Sequence, residues 1–401
     1  MWTRRRARDR APRLSAELRR RESVRPLELF FDLVFVLAFT QCTALMAADP
    51  TWKGIGCGML VAAMVWWAWI CYAWLTSVVE PEEGPVRLVL FGVMAAILVM
   101  AFAIPDAFGD RALGFAISYG LVRLGHIALF MLASRGDPGL RRSVVGFATS
   151  TGLAVGLLVA AAYVGGGAQV ALWLVAILID WIEPVFFGEE HWRLVPTHFA
   201  ERHNLIIILA LGESVIALGV GADLAFTAPV IASAVLGIGL AAALWWIYFD
   251  LVALVTERRL IRAAPGRERN ALARDSYSYL HFPMIAGMVL GALGLEAVLA
   301  HHDAPLDPVH SFALLGGTAI YLFAHVALRL RNAHSVNIQR LTLGLLFFAL
   351  IPVATMVDAL YSIVVVNLLL WAMIAFETFY VYGERRYLLR HDMEIDIPGS
   401  G

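Results

Sequence analysis

The chain has 401 residues, of which 60% are apolar and 16% charged, against soluble averages of about 45–50% and 25%. That balance excludes an ordinary soluble globular protein, while the net charge of −1 is uninformative in itself, because what matters is where the 31 basic residues fall; no nucleic-acid partner is expected. Runs of about 20 apolar residues, enough to cross roughly 30 Å of hydrocarbon, recur along almost the whole length, so the expected fold is all-α, a polytopic membrane helical bundle without a separate soluble domain.

Residues 1–25 form a basic arm, rich in arginine from Arg4 to Arg25, that suits anionic cytoplasmic headgroups or a solvated tail equally well. The apolar run behind it exceeds the usual signal-peptide core of about 7–15 residues and lacks a small-residue cleavage site, so it is expected to be a retained first span. Hydropathy places spans at Leu29–Ala47, Gly54–Val79, Val86–Phe108, Ala112–Ser134, Ser143–Val164 and Ala168–Phe187 in a first half, residues 26–187. A second half, residues 188–384, carries Glu201–Gly221, Pro229–Val255, Leu280–Ala300, Ser311–Leu330, Leu341–Val357 and Ala359–Tyr382, before a cytoplasmic tail at 385–401. This makes about 12 transmembrane helices; eleven stays open because two spans meet at Asp358 almost without a loop. With the N-terminus inside, basic residues gather in the arm and in alternate loops. The outside loops keep only Lys53 and Arg111, and Arg123 lies within a span, so both termini are expected to be cytoplasmic.

A possible 6+6 parallel repeat rests on two matches six spans apart. Glu28 precedes Thr40-Gln41 as Glu201 precedes Glu213-Ser214, and the next spans carry Trp66-Trp67-Ala68-Trp69 and Trp245-Trp246-Ile247-Tyr248. Paired tryptophans are also ordinary aromatic-belt residues. Gly54/Gly58, Gly152/Gly156 and Gly287/Gly291 have the spacing that lets helices approach closely. Cys42, Cys57 and Cys71 form no Cys-x-x-Cys pair and suit small buried hydrophobes.

Chemistry is expected where charge enters the spans. Pro26 suits the first helical position and Glu28 the first turn, while Asp32 lies one turn deeper on the same face; two such acids ask for a cation or a shared proton. Arg123 sits about 11 residues from either end of its helix, roughly 16 Å, too far to snorkel comfortably, so it needs a buried anion. Glu213 has the matching depth, with Asp180 as second choice and a purely structural ion pair as the bland alternative. Glu201, Arg202 and His203 open span seven, and Glu183, Asp250, Glu296 and Glu377 add to an excess of intramembrane acids over bases. The run holding Glu189, Glu190, His191 and His198 has no trusted zinc spacing, and neither does the outer loop with His301, His302, Asp303, Asp307 and His310. Hydrolase elbows, zinc-protease helices and phosphate loops are absent from the sequence, so no catalytic residue, metal or cofactor is expected.

Pro26-Leu27-Glu28-Leu29-Phe30-Phe31-Asp32-Leu33-Val34-Phe35-Val36, Glu201-Arg202, Leu211-Gly212-Glu213-Ser214, Trp245-Trp246-Ile247-Tyr248-Phe249-Asp250 and Tyr279-Leu280-His281-Phe282-Pro283 together resemble the bacterial low temperature requirement A (LtrA) family. The resemblance implies a bacterial multi-pass inner-membrane protein linked by name to growth in the cold, without a substrate, and it carries over Glu28, Asp32, Glu201, Arg202 and Glu213. The leading expectation is a secondary transporter or ion-coupled permease, in which Glu28, Asp32, Asp180, Glu201 and Glu213 bind a proton or cation and Arg123 or Arg202 orients an anionic group of a small-molecule substrate. Two other classes are an intramembrane enzyme acting on lipid or an isoprenoid carrier, and a sensor or scaffold responding to membrane state. Expected partners are the lipid bilayer, the coupling ion and the substrate, and oligomeric state is not legible.

Overall fold

The computed structural model describes residues 23–82, 84–187, 192–220 and 227–382. The arm before Ser23, the loop residues Glu189, Glu190 and His191, and the tail after Tyr382 lie outside them. The first half is built from α1 (Pro26–Ala48), α2 (Trp52–Val78), α3 (Gly84–Ala103), α4 (Ala112–Ala133), α5 (Pro138–Ala161) and α6 (Gly166–Phe187). The second holds α7 (Pro196–Val220), α8 (Ala228–Phe249), α9 (Val252–Arg262), α10 (Arg267–Leu272), α11 (Phe282–Ala300), α12 (Pro308–Ser311), α13 (Gly317–Ala333), α14 (Ile338–Ala354) and α15 (Ala359–Phe376). Among the described residues ten helical stretches are long and apolar enough to span a membrane, with α14 a shorter apolar helix. The 25-residue α7, more charged at its start, packs against α1, α8 and α11.

Local chemistry starts the helices where expected. Arg25 is extended and Pro26 follows at the first helical position, while the Glu28 carboxylate accepts the Arg25 N–H at 2.9 Å. Thr51, Asp137 and Asn337 each accept from a backbone N–H three residues on, opening α2, α5 and α14. The second half departs from the hydropathy reading at span eight. That span ends at Phe249, the chain turns at Asp250 and Leu251, and α9 continues as an amphipathic helix. Between α10 and α11 the chain widens into a π-helix at Ala273–Tyr279, and two more π segments lie at Phe312–Gly316 and Glu377–Tyr382.

Two helices are interior on nearly all sides, α2 and α11. Trp66, Trp67 and Trp69 of α2 are therefore not belt residues: all three are buried, and Trp66 donates to the Ser278 carbonyl at 2.8 Å, whereas Trp52 at the start of α2 and Trp245 of α8 are exposed. Close approach explains the pair Gly54/Gly58, where an added Cβ would crowd Asp49 and Met46 at the end of α1, and it explains Gly287 of the pair Gly287/Gly291. A Cβ on Gly287 would stand 2.6 Å from the Gly317 carbonyl oxygen, so α11 and α13 touch backbone to backbone. Gly152 and Gly156 differ from the expectation: both face open space, and their spacing packs no neighbour. The link at Asp358 is a real turn; Ala359 and Leu360 donate to the Ala304 and His302 carbonyls, tying it to the 302–305 loop. All three cysteines are free and buried.

Candidate functional site

The first charged cluster joins α1 to α7. Glu28 meets His198 (Oε1 to Nε2, 2.9 Å) and Asp32 accepts from Arg202 Nη2 at 2.5 Å, so the contacts advance together along two parallel helices that each open on a proline. Two carboxylates one turn apart are thus matched by an imidazole and a guanidinium one turn apart. This register differs from the one that aligned Glu28 with Glu201; position for position, Glu28 faces His198. Arg202 also donates to Glu28 at 3.0 Å and to Thr76 at 2.9 Å, its guanidinium lies 5.6 Å from the Trp69 ring centre, and Trp69 Nε1 donates to Asp32 at 2.8 Å. Glu28, Asp32, His198 and Arg202 are all buried, which removes each charge from water and makes the pairing obligatory. Asp32 Oδ2 and Arg202 Nε have no hydrogen-bond partner among the described residues. Glu201 points elsewhere: its carboxylate accepts the Val24 N–H at 2.9 Å, while Arg25 pairs with Glu80, so the segment entering α1 is pinned from both sides.

The second cluster lies wholly in the first half. Arg123 on α4 pairs with Asp180 on α6, with Nη1–Oδ2 and Nη2–Oδ1 separations of 3.2 and 3.3 Å. Thr151 on α5 accepts from Nη2 at 2.6 Å, and Tyr119 donates to Asp180 at 2.8 Å. The Phe147 ring centre lies 4.8 Å from the guanidinium carbon. The expected Arg123–Glu213 partnership is therefore overturned in favour of Asp180. The depth count favoured Glu213 over Asp180, which it set one to two turns nearer the cytoplasm, but Glu213 sits on α7, beside Thr43 of α1 and in the field of Glu296, and its buried Oε1 lacks a partner among the described residues.

One helical turn from this pair, at His126 and Glu183, a cavity of about 60 Å³ lies against α2 and is lined as well by Trp192, Asn270 and Arg274. Trp67, Trp74 and Phe147 contribute apolar walls, and Cys71, His126 and Glu183 polar or ionisable groups. Glu183 is 6% exposed and has no hydrogen bond or ion pair to a described residue, although it feels the charges of Arg123 and Asp180. Neither ring nitrogen of His126 makes a hydrogen bond of ordinary geometry among the described residues, although the Cys71 backbone lies near enough to act on the ring. The space matches a few water molecules, given that one needs about 10–15 Å³ of probe-occupied volume and two to four polar neighbours. Glu183 and His126 carried a signal in the sequence, one turn beyond Asp180 and Arg123 respectively, but ion-pair depth alone did not select them.

A third buried pair was missed because its residues lie near span ends. Arg340 on α14 donates from Nη2 and Nε to Glu377 at 2.8 and 3.1 Å, and Asn337 donates to the same carboxylate at 2.8 Å. Across the described residues no three His, Cys, Asp or Glu side chains converge as a metal site requires.

A bundle of long apolar helices, with ionisable side chains buried in pairs between them, defines a polytopic integral membrane protein. The chain belongs to the family of the bacterial low temperature requirement A protein (LtrA), whose pattern it matches over residues 23–375. It is 28% identical over 377 residues to an uncharacterized protein of Rhizobium meliloti (strain 1021), a match covering 87% of this chain and 88% of that one. No solved structure matches it.

Proposed function

We propose that this protein is an ion-coupled secondary transporter of the bacterial inner membrane, with both termini cytoplasmic and Glu183 as the group that takes up the coupling proton. The carrying observation is the cavity ending at Glu183 and His126 beside Arg123–Asp180. A buried carboxylate without a partner costs least when protonated, and the adjacent cavity gives the proton a wet route. In this reading Arg123–Asp180 is the fixed charge against which Glu183 titrates. The α1–α7 seam of Glu28, Asp32, His198 and Arg202 is the contact that a transport cycle opens and recloses, with Glu201 holding the entry to α1 and Glu213 a second acid on the far side of the seam. The transporter's two halves then correspond to a 6+6 parallel repeat. The helix starts at Pro26 and Pro196 support that duplication, as do the matched motifs Gly125-His126-Ile127-Ala128-Leu129 and Ala324-His325-Val326-Ala327-Leu328.

Currents on a solid-supported membrane carrying reconstituted protein test the proton step without knowledge of the substrate. A pH jump is expected to evoke a transient charge displacement that Glu183→Gln removes while the protein still elutes as a monodisperse peak. No displacement from intact wild-type protein, or the same displacement from Glu183→Gln, would overturn the assignment.

A further inference from the structure

We infer that the cavity at Glu183 is a binding site for a small alkylated ammonium ion, and that this cation is the substrate exchanged against the proton. The inference deepens the transport reading and rests on it for the exchange, while the binding site stands on the lining. Four aromatic side chains, Trp67 and Trp74 of α2, Phe147 of α5 and Trp192 before α7, line the cavity together with Glu183 of α6. Negative charge is what this lining leaves unanswered. Glu183 is 6% exposed and makes no hydrogen bond or ion pair to a described residue. The cations around it are engaged: Asp180 holds Arg123 at 3.2 and 3.3 Å, and Asp275 holds Arg274 at 2.7 Å. A buried carboxylate so placed is stabilised by a proton or by a cation that enters the cavity. Both guanidinium groups that the sequence set against an anionic substrate, Arg123 and Arg202, are bound by carboxylates, which favours a positive substrate charge.

The aromatic walls select the kind of cation. A positive charge within about 6 Å of a ring centre is attracted by the ring quadrupole, and more strongly when it is desolvated. This wall already makes one such contact, with the Arg123 guanidinium carbon 4.8 Å from the Phe147 ring centre. Trp74 and Trp192 meet edge to face with centres 6.1 Å apart, and so form a corner. Among the other polar side chains of the lining, Ser278 Oγ takes the Trp74 N–H at 3.0 Å, and Asn270 gives its amide N–H to the Trp192 carbonyl at 2.7 Å. A primary ammonium would bring three N–H donors to a wall with one carboxylate. An alkylated one presents methyl groups to the rings and its charge to Glu183. A divalent metal ion needs several oxygen ligands, and no three acids, histidines or cysteines converge among the described residues. Size agrees. The volume of about 60 Å³ holds about four to six water-sized groups at about 10–15 Å³ each, the bulk of a tetramethylammonium ion.

Thermal unfolding of the purified full chain in detergent, followed across a titration of tetramethylammonium chloride, tests the site. Sodium chloride at equal ionic strength controls for screening, and tert-butanol, a neutral molecule of similar shape, controls for apolar contact. A ligand of the folded state raises the unfolding temperature as its concentration passes Kd. The expectation is a saturable rise with tetramethylammonium that neither control gives. Glu183→Gln is expected to weaken the apparent affinity about tenfold or more, the size of a close charge pair out of water. Trp192→Leu should weaken it about three- to thirtyfold, the range of one cation–ring contact. Trp245→Leu, on the exposed face of α8, should leave it unchanged. No saturable rise, an equal rise with tert-butanol, or unchanged affinity in both cavity variants overturns the site. In the pH-jump measurement, saturating tetramethylammonium is expected to suppress the wild-type displacement, and a displacement it leaves unchanged overturns the exchange. Displacement without tetramethylammonium binding would sink the ammonium site and spare the proton step. Saturable binding without displacement would keep the site and remove the proton step, and the exchange with it.

Discussion

At the scale of single residues the interior of this bundle obeys one constraint, that an ionised group buried away from water must find its complement. Arg123 finds Asp180, and Thr151 and Tyr119 complete the arrangement. Removing one member of such a pair costs about 3–5 kcal/mol, because the other is stranded, whereas removing both costs less. Arg123→Gln and Asp180→Asn are therefore each expected to lower the unfolding temperature in detergent strongly, with the double change recovering part of the loss. Arg123→Gln with Glu213→Gln should be additive, within about 0.3–0.5 kcal/mol for groups without shared partners. Coupling in the second cycle and none in the first would reverse the assignment of partners. The need for a partner was legible in the sequence, because it follows from counting residues along a span, but its depth was not: the count favoured Glu213 and set Asp180 one to two turns nearer the cytoplasm. Which face of which neighbour meets Arg123 was not legible either, since azimuth and helix packing, which decide between the two acids, leave no mark in the spacing of residues along a span. His198 shows the same limit. In the sequence it belonged to a loop with metal-capable neighbours, and only the start of α7 at Pro196 turns it into the residue one turn ahead of Arg202 and opposite Glu28.

Elements bring a second kind of constraint, the distance between backbones. The contact of α11 with α13 leaves no room at Gly287, where a Cβ would crowd the Gly317 carbonyl and the Tyr321 amide. Gly287→Ala is expected to destabilise by about 1–3 kcal/mol, the range for overpacking a close contact. Gly152→Ala meets open space within a helix and is expected to be neutral or to stabilise by up to about 1 kcal/mol from helix propensity. Thermal unfolding of the two purified variants checks both signs, and the same sign for the two would contradict the packing account. Identical spacing in the sequence thus conceals opposite environments. Hydropathy located most spans within a few residues but ran past the end of α8, because Leu251, Val252, Leu254 and Val255 are apolar while the turn at Asp250 and the arginines of α9 redirect the chain. The π segments were not legible either; each widens a helix by local hydrogen bonding that leaves the composition unchanged.

The whole molecule has two charged-residue budgets on its two ends. One end gathers Arg25, Arg135, Arg193, Arg262 and Arg274 with the entries to α1 and α7; the other carries Lys53, Arg111 and the 302–305 loop docked on Asp358. The basic end is expected to face the cytoplasm, because loops rich in Lys and Arg are retained there. The buried native cysteines leave a quiet background for testing this by labelling. Glu268, exposed between α9 and α11, and Asp303, exposed after α11, lie on opposite sides of a single crossing. In intact cells a membrane-impermeant maleimide should label Asp303→Cys, and should label Glu268→Cys only after permeabilisation. The reverse pattern would invert the orientation, and with it the side on which Trp192, Asn270 and Arg274 line the cavity at Glu183. Labelling of both positions in intact cells would mean that α11, the helix buried on nearly all sides, does not cross the membrane, and the seam between α1, α7 and α11 would then need another explanation.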